Sequence, residues 1–379
     1  MKNAILNHFY VVGTASSIVI ALLLAFVIFR VSHGAIRSRR VLAVILLVLS
    51  LSVTLNSLLD GLLAKYYSPV GHISEPFQLL FGPLLFLYLN QLNKGEMPVK
   101  IKLLHMLPFI LYTVYFVYFL SKGQQSLYIN KPFTTIIMIL SFTAYMQLWL
   151  YYFLCKKELK LYRQKLKQSC SSLERINETW VTHSMFALLL CYLAITVLFL
   201  LNHGMIYLPV NKFLAIIISL IIYVIVYRIL RQPEIITSLA STAVIPLTQK
   251  IPKYKKSSLD KHDIEDNLIR LKKYMVLHKP YVNPELNLNM LADNLNISPH
   301  HLSQVINEGN NTNFYDFINS YRLEEFKKLV AELRNQKTTV LSTAFSVGFN
   351  SKATFNRLFK KATQQTPSEY KKKCSQNTD

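Results

Sequence analysis

The chain has 379 residues, of which 52% are hydrophobic and only 16% are charged, and its formal net charge is +22. Because about a quarter of the residues of an average soluble domain are charged, this composition excludes one ordinary soluble globule; it also excludes a disordered chain and a small disulfide scaffold. Two features give an apolar chain a large positive charge: basic loops beside membrane spans, and a surface that binds nucleic acid. The sequence indicates both, in different parts of the chain.

The apolar part of the chain is residues 1–231, which hold 6 of the 20 acidic residues but 21 of the 42 basic ones. Seven long apolar runs lie there, at about 11–30, 41–63, 75–91, 104–121, 133–154, 184–203 and 212–230. A helix needs ~20 apolar residues to cross a bilayer, and six runs meet that length comfortably. The third is short and contains Pro76, Gly82 and Pro83. The runs predict a seven-helix transmembrane bundle that serves as a sensor domain.

The basic residues between these runs alternate in number. Loops 30–40, 92–103 and 155–183 carry four, three and seven Lys or Arg residues, whereas the segments on the alternate side carry one, one, two and one. The positive-inside rule therefore places the N-terminus outside and everything after residue 231 in the cytoplasm. This alternation also favours keeping the third span.

Two acidic residues, Asp60 and Glu75, lie near the predicted outer ends of the second and third spans. Ionisable residues inside a membrane are candidates for a functional site, here a ligand-sensing or proton-sensing one. The alternative is that both acids lie where water reaches them and have no such role.

The apolar runs stop after residue 231. Residues 232–260 contain three prolines and a basic stretch, KIPKYKKSS, and are predicted to be a linker that lies either on anionic lipid headgroups or in solvent. The following domain, 261–379, begins with a predicted helix at 260–278.

Two short helices are predicted next, at 289–295 and 299–307, with Ser298 as the N-cap and Pro299 in the first helical position. Two helices joined by a tight turn, the second with small polar side chains on its open face, are typical of a helix-turn-helix unit, here about 289–308. The predicted open face consists of His300, His301, Ser303, Gln304 and Asn307.

The pattern recurs at about 339–363. A helix near 339–346 is followed by a turn at Gly348, a cap at Ser351 and a second helix that buries Phe355, Leu358 and Phe359. The exposed face of that helix is predicted to be Lys352, Ala353, Asn356, Arg357 and Lys360, and Lys361 follows it.

Several of these side chains suit nucleic acid. Arg357 has a fork that matches guanine, but it also suits a phosphate or plain solvent; Gln304 and Asn307 suit adenine. Lys360 and Lys361 suit phosphates or solvent. Arg322, between the two units, is predicted to form a salt bridge with Glu325.

The stretches LADNLNISPHHLSQVIN, FINSYRLEE and VGFNSKATFNRLFKK with TPSEYK resemble the C-terminal domain of AraC/XylS-type transcription regulators. The stretches FGPLLFLYL, HMLPF, QPEI and KYKKSSL resemble, more weakly, Bacteroidetes-type members with a seven-span membrane domain. The resemblance implies two recognition helices on one linker helix, each entering the major groove of double-stranded DNA. Phe326, Asn311 and Gln364 depart from the family pattern, where a small residue and two glycines are usual.

The sequence thus predicts an all-α, membrane-integrated one-component transcription regulator in the bacterial inner membrane. The resemblance implies RNA polymerase as a partner and a possible homodimer, with an unknown signal. No catalytic motif, cofactor site or metal site is evident. The alternatives are a transporter or channel with a regulatory tail, and an intramembrane enzyme.

Overall fold

The structure is a computed structural model that describes residues 2–31, 37–62, 75–94, 97–121, 131–173, 179–201, 210–231, 259–332 and 338–376. The described chain is helical, with one isolated antiparallel bridge between Cys170 and Asn287, which confirms the predicted all-α fold. The chain divides into two compact units. The first is Met1–Tyr162 with Glu178–Lys250, and the second is Arg163–Asn177 with Ile251–Asp379.

This division differs in one respect from the boundary expected from sequence. The predicted linker lies almost wholly outside the described residues, which resume at Leu259. Residues 163–177, which are part of the predicted loop 155–183 of the membrane domain, belong to the same compact unit as the C-terminal helices.

Over the described residues, each predicted apolar run lies in a helix. The helices are α1 (Lys2–Val31), α2 (Arg37–Leu62), α3 (Glu75–Lys94), α4 (Val99–Ser121), α5 (Lys131–Ser169), α6 (Thr179–Leu201) and α7 (Val210–Arg231). Among the described residues, two helical stretches are long and apolar enough to cross a membrane, Tyr10–Ile28 and Val99–Tyr118. Shorter apolar stretches lie in α2, α6 and α7. The seven-span bundle is therefore not confirmed and stays a prediction.

Inside the first unit, α1 packs against α2 and α7, and α3 packs against α2 and α4. Leu46, Leu85 and Ile222 are fully buried in the shared core. Ser17 Oγ of α1 donates to Ser219 Oγ of α7 at 3.1 Å, which satisfies two hydroxyls inside this core.

Asp60 lies in the last turn of α2 and Glu75 begins α3. Their side chains lie outside the described residues, so the predicted sensor role is not tested by the structure.

The second unit contains, besides the end of α5, the helices of the C-terminal region. They are α8 (Lys261–His278), α9 (Leu288–Leu295), α10 (Pro299–Gln304), α11 (Phe314–Glu332), α12 (Val340–Ser346), α13 (Lys352–Thr363) and α14 (Pro367–Gln376). A short 3-10 helix, Pro280–Val282, follows α8, and a π-helical turn, Val305–Gly309, continues α10. The predicted helices at 260–278, 289–295 and 339–346 agree with α8, α9 and α12 to within one residue, whereas the helix predicted at 299–307 ends at Gln304 and continues as the π-helical turn.

The second unit has two hydrophobic cores, and α11 contributes to both of them. Phe317 and Ile318 pack into the first core, with α8, α9 and α10, whereas Phe326 and Val330 pack into the second, with α12 and α13. The departure at Phe326 has a structural role, since its ring lies 4.7 Å from that of Phe355 in the second core.

Candidate nucleic-acid interface

The first helix-turn-helix unit is α9 and α10. Asn287 caps α9 by accepting from Met290 N, and Ser298 caps α10 by accepting from His301 N at 3.1 Å. The turn between the helices passes through Asn296, whose φ of 51° is left-handed. Asparagine tolerates this conformation because its short polar side chain hydrogen-bonds locally.

The predicted open face of α10 is wrong for two of its residues. Ser303 and Gln304 are only 5% and 2% exposed. Gln304 Oε1 accepts from Leu259 N at 3.4 Å, and its Nε2 donates to Glu308 at 3.2 Å. These two side chains are therefore engaged within the domain and do not face solvent.

The reason is tertiary. The sequence correctly predicts that Leu302, Val305 and Ile306 are buried on one side of this helix. However, α8 packs against the π-helical turn from another side, so that a Cβ on Gly309 would lie 3.2 Å from side-chain atoms of both Ile264 and Leu268. Periodicity identifies one buried face, and α8 adds a second.

The remaining predicted contacts of the first unit are partly open. His300 and His301 are half-buried, with ring centroids 6.1 Å apart. Asn307 is half-buried and donates from Nδ2 to Ser303 Oγ at 3.2 Å. The structure thus places these three side chains at the margin of the covered region.

The second helix-turn-helix unit consists of α12 and α13. Thr339 caps α12 and Ser351 caps α13, each by accepting from a backbone N–H three residues on. Gly348 makes the turn with a φ of +97°, and a Cβ at this position would lie 2.8 Å from Val282 O and 2.9 Å from Arg322 Nε. Glycine is required here both for the left-handed backbone and for the close approach.

The predicted exposed face of α13 is confirmed. Phe355, Leu358 and Phe359 are buried. The five side chains predicted to face outward, and Lys361 beside them, are all exposed: Lys352, Ala353, Asn356, Arg357, Lys360 and Lys361. The face carries four cations, and α13 contains no acidic residue. Such a helix presents hydrogen-bond donors and positive charge on a rigid support, as contacts to bases and phosphates require.

Arg357 has a structural neighbour that the sequence did not suggest. Its Nη2 donates to the hydroxyl of Tyr315, on α11, at 3.3 Å. Tyr315 itself is 2% exposed. The hydrogen bond orients the guanidinium while leaving its other donors available, since the residue as a whole is exposed.

Arg322 is fully buried, and its guanidinium donates to the backbone carbonyls of Tyr281 at 2.7 Å and Asn283 at 2.9 Å. The predicted salt bridge with Glu325 is wrong, because Glu325 pairs with Lys279 and accepts from Tyr281. Its spacing is a signal that could have been used: Arg322 lies four residues after Ile318 and four before Phe326, both buried.

The Lys279–Glu325 pair affects two pKa values. Partial burial raises the pKa of Glu325, but hydrogen bonds from Lys279 and Tyr281, with the charges of Lys279 and Lys328, outweigh it and hold the pKa below its ordinary value. Burial first, and then the Glu325 carboxylate, raises the pKa of Tyr281 to about 12. Both groups therefore keep their ordinary protonation states near neutral pH.

The two departures at usual glycines take left-handed conformations. Asn311 has a φ of 46° and Gln364 a φ of 60°. Asn311 tolerates this region, whereas Gln364, the C-cap of α13, has a longer side chain that suits it less well and carries some strain, although its Nε2 donates to Lys361 O at 3.3 Å.

Residues 291–373 match the family model of a helix-turn-helix domain. A relative from Staphylococcus aureus (strain COL), an uncharacterised HTH-type transcriptional regulator, is 32% identical over 107 residues, which cover 28% of this chain and 14% of that protein. The Msm operon regulatory protein of Streptococcus mutans is 26% identical over 102 residues, covering 27% of this chain and 35% of that protein. No solved structure matches the chain significantly.

The C-terminal part of the chain is therefore an AraC-type helix-turn-helix domain, similar to domains of proteins named transcriptional regulators. This confirms the family resemblance for that domain. The resemblance to seven-span, Bacteroidetes-type members stays a prediction.

Proposed function

We propose that the chain is a membrane-integrated, one-component transcription regulator of the bacterial inner membrane. Its C-terminal domain binds the major groove of double-stranded DNA in the cytoplasm, and its first 231 residues span the bilayer, with the N-terminus outside, and sense a signal. RNA polymerase is the partner through which it acts, a homodimer is its possible assembly, and it has no catalytic activity.

The observation that carries the DNA-binding part is the exposed face of α13. Asn356 and Arg357 are base-contacting groups, because their side chains match the edges of adenine and guanine. Lys360 and Lys361, one turn further on, are placed to neutralise phosphates. The buried Phe355 and Phe359 fix which side of the helix faces outward.

The test is a binding titration of the full-length protein in detergent against a randomised duplex library at two salt concentrations. Arg357→Ala should cost about 1–3 kcal/mol on the preferred sequence and relax the preference at one base position. Lys361→Ala is the matched control; it should weaken all sequences equally and reduce the salt slope by roughly one unit. An equal loss on every sequence for Arg357→Ala would make it a phosphate contact, and no loss for either variant would exclude this face.

The exposed apolar side chains of the first compact unit support the proposal that it spans a membrane. Leu23 and Phe26 of α1 are each 61% exposed, and Leu220 of α7 is 58% exposed. Many other large apolar side chains on α1, α4, α5, α6 and α7 are exposed as well. Soluble proteins rarely expose contiguous apolar surface of this kind, whereas lipid would cover it.

Fusions to alkaline phosphatase test the topology. The enzyme should be active when it is fused after Lys122, outside, and inactive when it is fused after Lys165, in the cytoplasm. Activity at both points, or the reverse pattern, would place the DNA-binding domain outside and contradict the proposal.

A small cavity in the first compact unit, Met1–Tyr162 with Glu178–Lys250, supports the sensor proposal. Its lining includes Ser52 and Gln78, about two turns and one turn from Asp60 and Glu75 along their helices, together with apolar side chains such as Phe77. Asp60→Asn or Glu75→Gln should alter the induction of a reporter gene while leaving DNA affinity unchanged. Wild-type induction in both variants would remove these acids from the mechanism.

A further inference from the structure

The connection after α5 is built into the helix-turn-helix domain. Residues 167–173, here named the docking segment, lie in the same compact unit as that domain. Cys170 forms the isolated antiparallel bridge with Asn287, and Ser171 donates to Leu286 O both from its backbone N at 3.3 Å and from its Oγ at 2.6 Å. The segment thus pairs with the strand-like residues that precede α9.

The docking segment also supplies acceptors to buried donors of α11. Arg322 donates to Ser171 O at 3.2 Å and to Ser171 Oγ at 3.1 Å, and Asn319 Nδ2 donates to Ser171 O at 3.2 Å. Ser171, Asn319 and Arg322 are each at most 3% exposed. If the segment left, these buried donors would lose partners, and a buried charged donor without an acceptor is costly.

The same segment reaches the second helix-turn-helix unit. Leu173 packs against the second core, and Ser172 Oγ donates to Asn350 Oδ1 at 3.2 Å, one residue before the cap of α13. Lys167 Nζ lies 5.6 Å from the ring centroid of Tyr315, whose hydroxyl accepts from Arg357. Within this seven-residue segment, contacts therefore reach the residues that precede α9, the shared helix α11 and the residue that precedes the cap of α13.

We propose that the docking segment is the intramolecular partner of the helix-turn-helix domain, and that its docking holds the two helix-turn-helix units in the arrangement that binds DNA. The proposal rests on the proposed function, since it assigns how the membrane part acts on DNA binding. The surface it names is formed by Leu286, Asn287, Asn319, Arg322 and Asn350, and its occupant is this chain's own connection between α5 and α6.

The coupling follows from what Arg322 joins. It ties Ser171 to the carbonyls of Tyr281 and Asn283, and its Nε lies against the turn at Gly348. Release of Ser171 removes acceptors from Arg322. This loosens the contact between the residues that precede the first helix-turn-helix unit, Tyr281 and Asn283, and the turn of the second unit at Gly348. A change at the end of α5 then alters the relative placement of two recognition helices, which must engage the same DNA together.

A disulfide tests the docking independently of DNA binding. Residues paired in an antiparallel bridge have Cα atoms about 4.5–5.5 Å apart, within the range a disulfide spans. Asn287→Cys in the full-length protein should therefore form a disulfide with the native Cys170 on mild oxidation, as peptide mapping would detect. Cys170→Ser/Asn287→Cys is the matched control and should form no such bond. Failure of Asn287→Cys to form it would overturn the docking.

DNA binding then tests the coupling. Ser171→Val removes the hydroxyl and crowds a buried site, and it should lower affinity for the preferred duplex at least tenfold; Gln168→Val, at an exposed position, should leave affinity within twofold. Oxidised Asn287→Cys should bind as tightly as its reduced form, and cross-linking Ser171→Val/Asn287→Cys should recover most of the affinity.

Two results would overturn the coupling. If the disulfide abolishes binding, the docked segment is inhibitory and the proposed direction is wrong. If Ser171→Val binds as the wild type does, or if its loss is not recovered by the disulfide, docking does not control DNA binding. If Asn287→Cys forms the disulfide but the wild-type protein binds no duplex, the docking stands and the proposed function is refuted instead.

Discussion

The two helix-turn-helix units share a motif but differ in what packs on their second helix. In the first helix-turn-helix unit, α8 packs against the π-helical turn that continues α10 and Leu259 N donates to Gln304, which is buried and also hydrogen-bonded to Glu308. In the second, α13 carries Arg357 and other cations on an exposed face. The comparison shows that the exposure of a helix face depends on the elements that pack against the helix as much as on the helix's own residues.

The charges of the two helices reinforce this difference. Glu308 places an exposed carboxylate beside Gln304, whereas no acid lies within Lys352–Thr363. Because DNA phosphates repel a carboxylate and attract Lys and Arg, the second unit is the better suited to hold DNA. We therefore expect α13 to make the principal base contacts.

The largest expected effect is at the turn of the second helix-turn-helix unit. Gly348→Ala should destabilise the domain by about 3–4 kcal/mol, because alanine is strained at a φ of +97° and its Cβ would collide with the carbonyls of Tyr281 and Val282. Gly309→Ala is the control, since its Cβ meets only side chains, at 3.2 Å, and helix propensity offsets the crowding; about 0–1 kcal/mol is expected.

Hydrogen exchange of the α11 amides in the full-length protein measures both changes as opening free energies. Equal protection in the two variants would mean that the second turn is no more constrained than the end of the first recognition helix.

The next effect separates the two recognition helices by function. Asn356→Ala should weaken binding to the preferred duplex by about 1–3 kcal/mol, because it removes an exposed amide that suits adenine. Gln304→Ala should leave the base preference unchanged and reduce the protection of α10 instead, because it removes the acceptor of Leu259 N. A library titration measures the affinity and the base preference of both variants, and hydrogen exchange measures the protection of α10. A changed preference for Gln304→Ala alone would show that α8 moves away and the first unit contacts bases.

A smaller effect is expected at the C-caps. Gln364→Gly should stabilise the second unit by about 1 kcal/mol, because glycine removes the strain of a φ of 60°. Asn296→Gly, at a φ of 51° in the first unit, should change stability by only a few tenths of that, since asparagine already tolerates the conformation. Hydrogen exchange of the α9 and α13 amides, followed as a function of temperature, measures the two stability changes. A larger gain for Asn296→Gly than for Gln364→Gly would refute the assignment of strain.

The smallest effect concerns acid. The pKa of Glu325 is lowered in the folded chain, so the stability it contributes is fully present above its unfolded pKa and is lost as the pH falls through the folded pKa. Glu325→Gln should therefore remove part of the acid sensitivity of α11 exchange. Glu324→Gln is the control, since its exposed pair with Lys327 contributes little. An unchanged acid limb in Glu325→Gln would show that the Lys279 pair is not stabilising.

Local pattern was sufficient for part of this molecule. The spacing of Phe355, Leu358 and Phe359 predicted both the second recognition helix and its exposed face, because only one side of α13 is packed. The caps at Ser298 and Ser351 were predictable for the same reason: a cap depends on residues three positions apart.

The errors have a common physical cause. Burial of Gln304 depends on Leu259, 45 residues away, and the partners of Arg322 include Ser171, 151 residues away. Contacts at such separations leave no periodic trace in one sequence, so neither the covered first unit nor the docking segment could be derived from it.

Vesicle flotation tests the central claim, that one chain both enters a membrane and selects DNA. The full-length protein would be reconstituted in liposomes, mixed with a randomised duplex pool and floated, and the DNA in the vesicle fraction sequenced. We expect the protein to float with the vesicles and to enrich one family of sequences, and we expect vesicles that carry Arg357→Ala to retain DNA with a relaxed preference. Recovered DNA with the composition of the input pool, or protein that does not float, would contradict it.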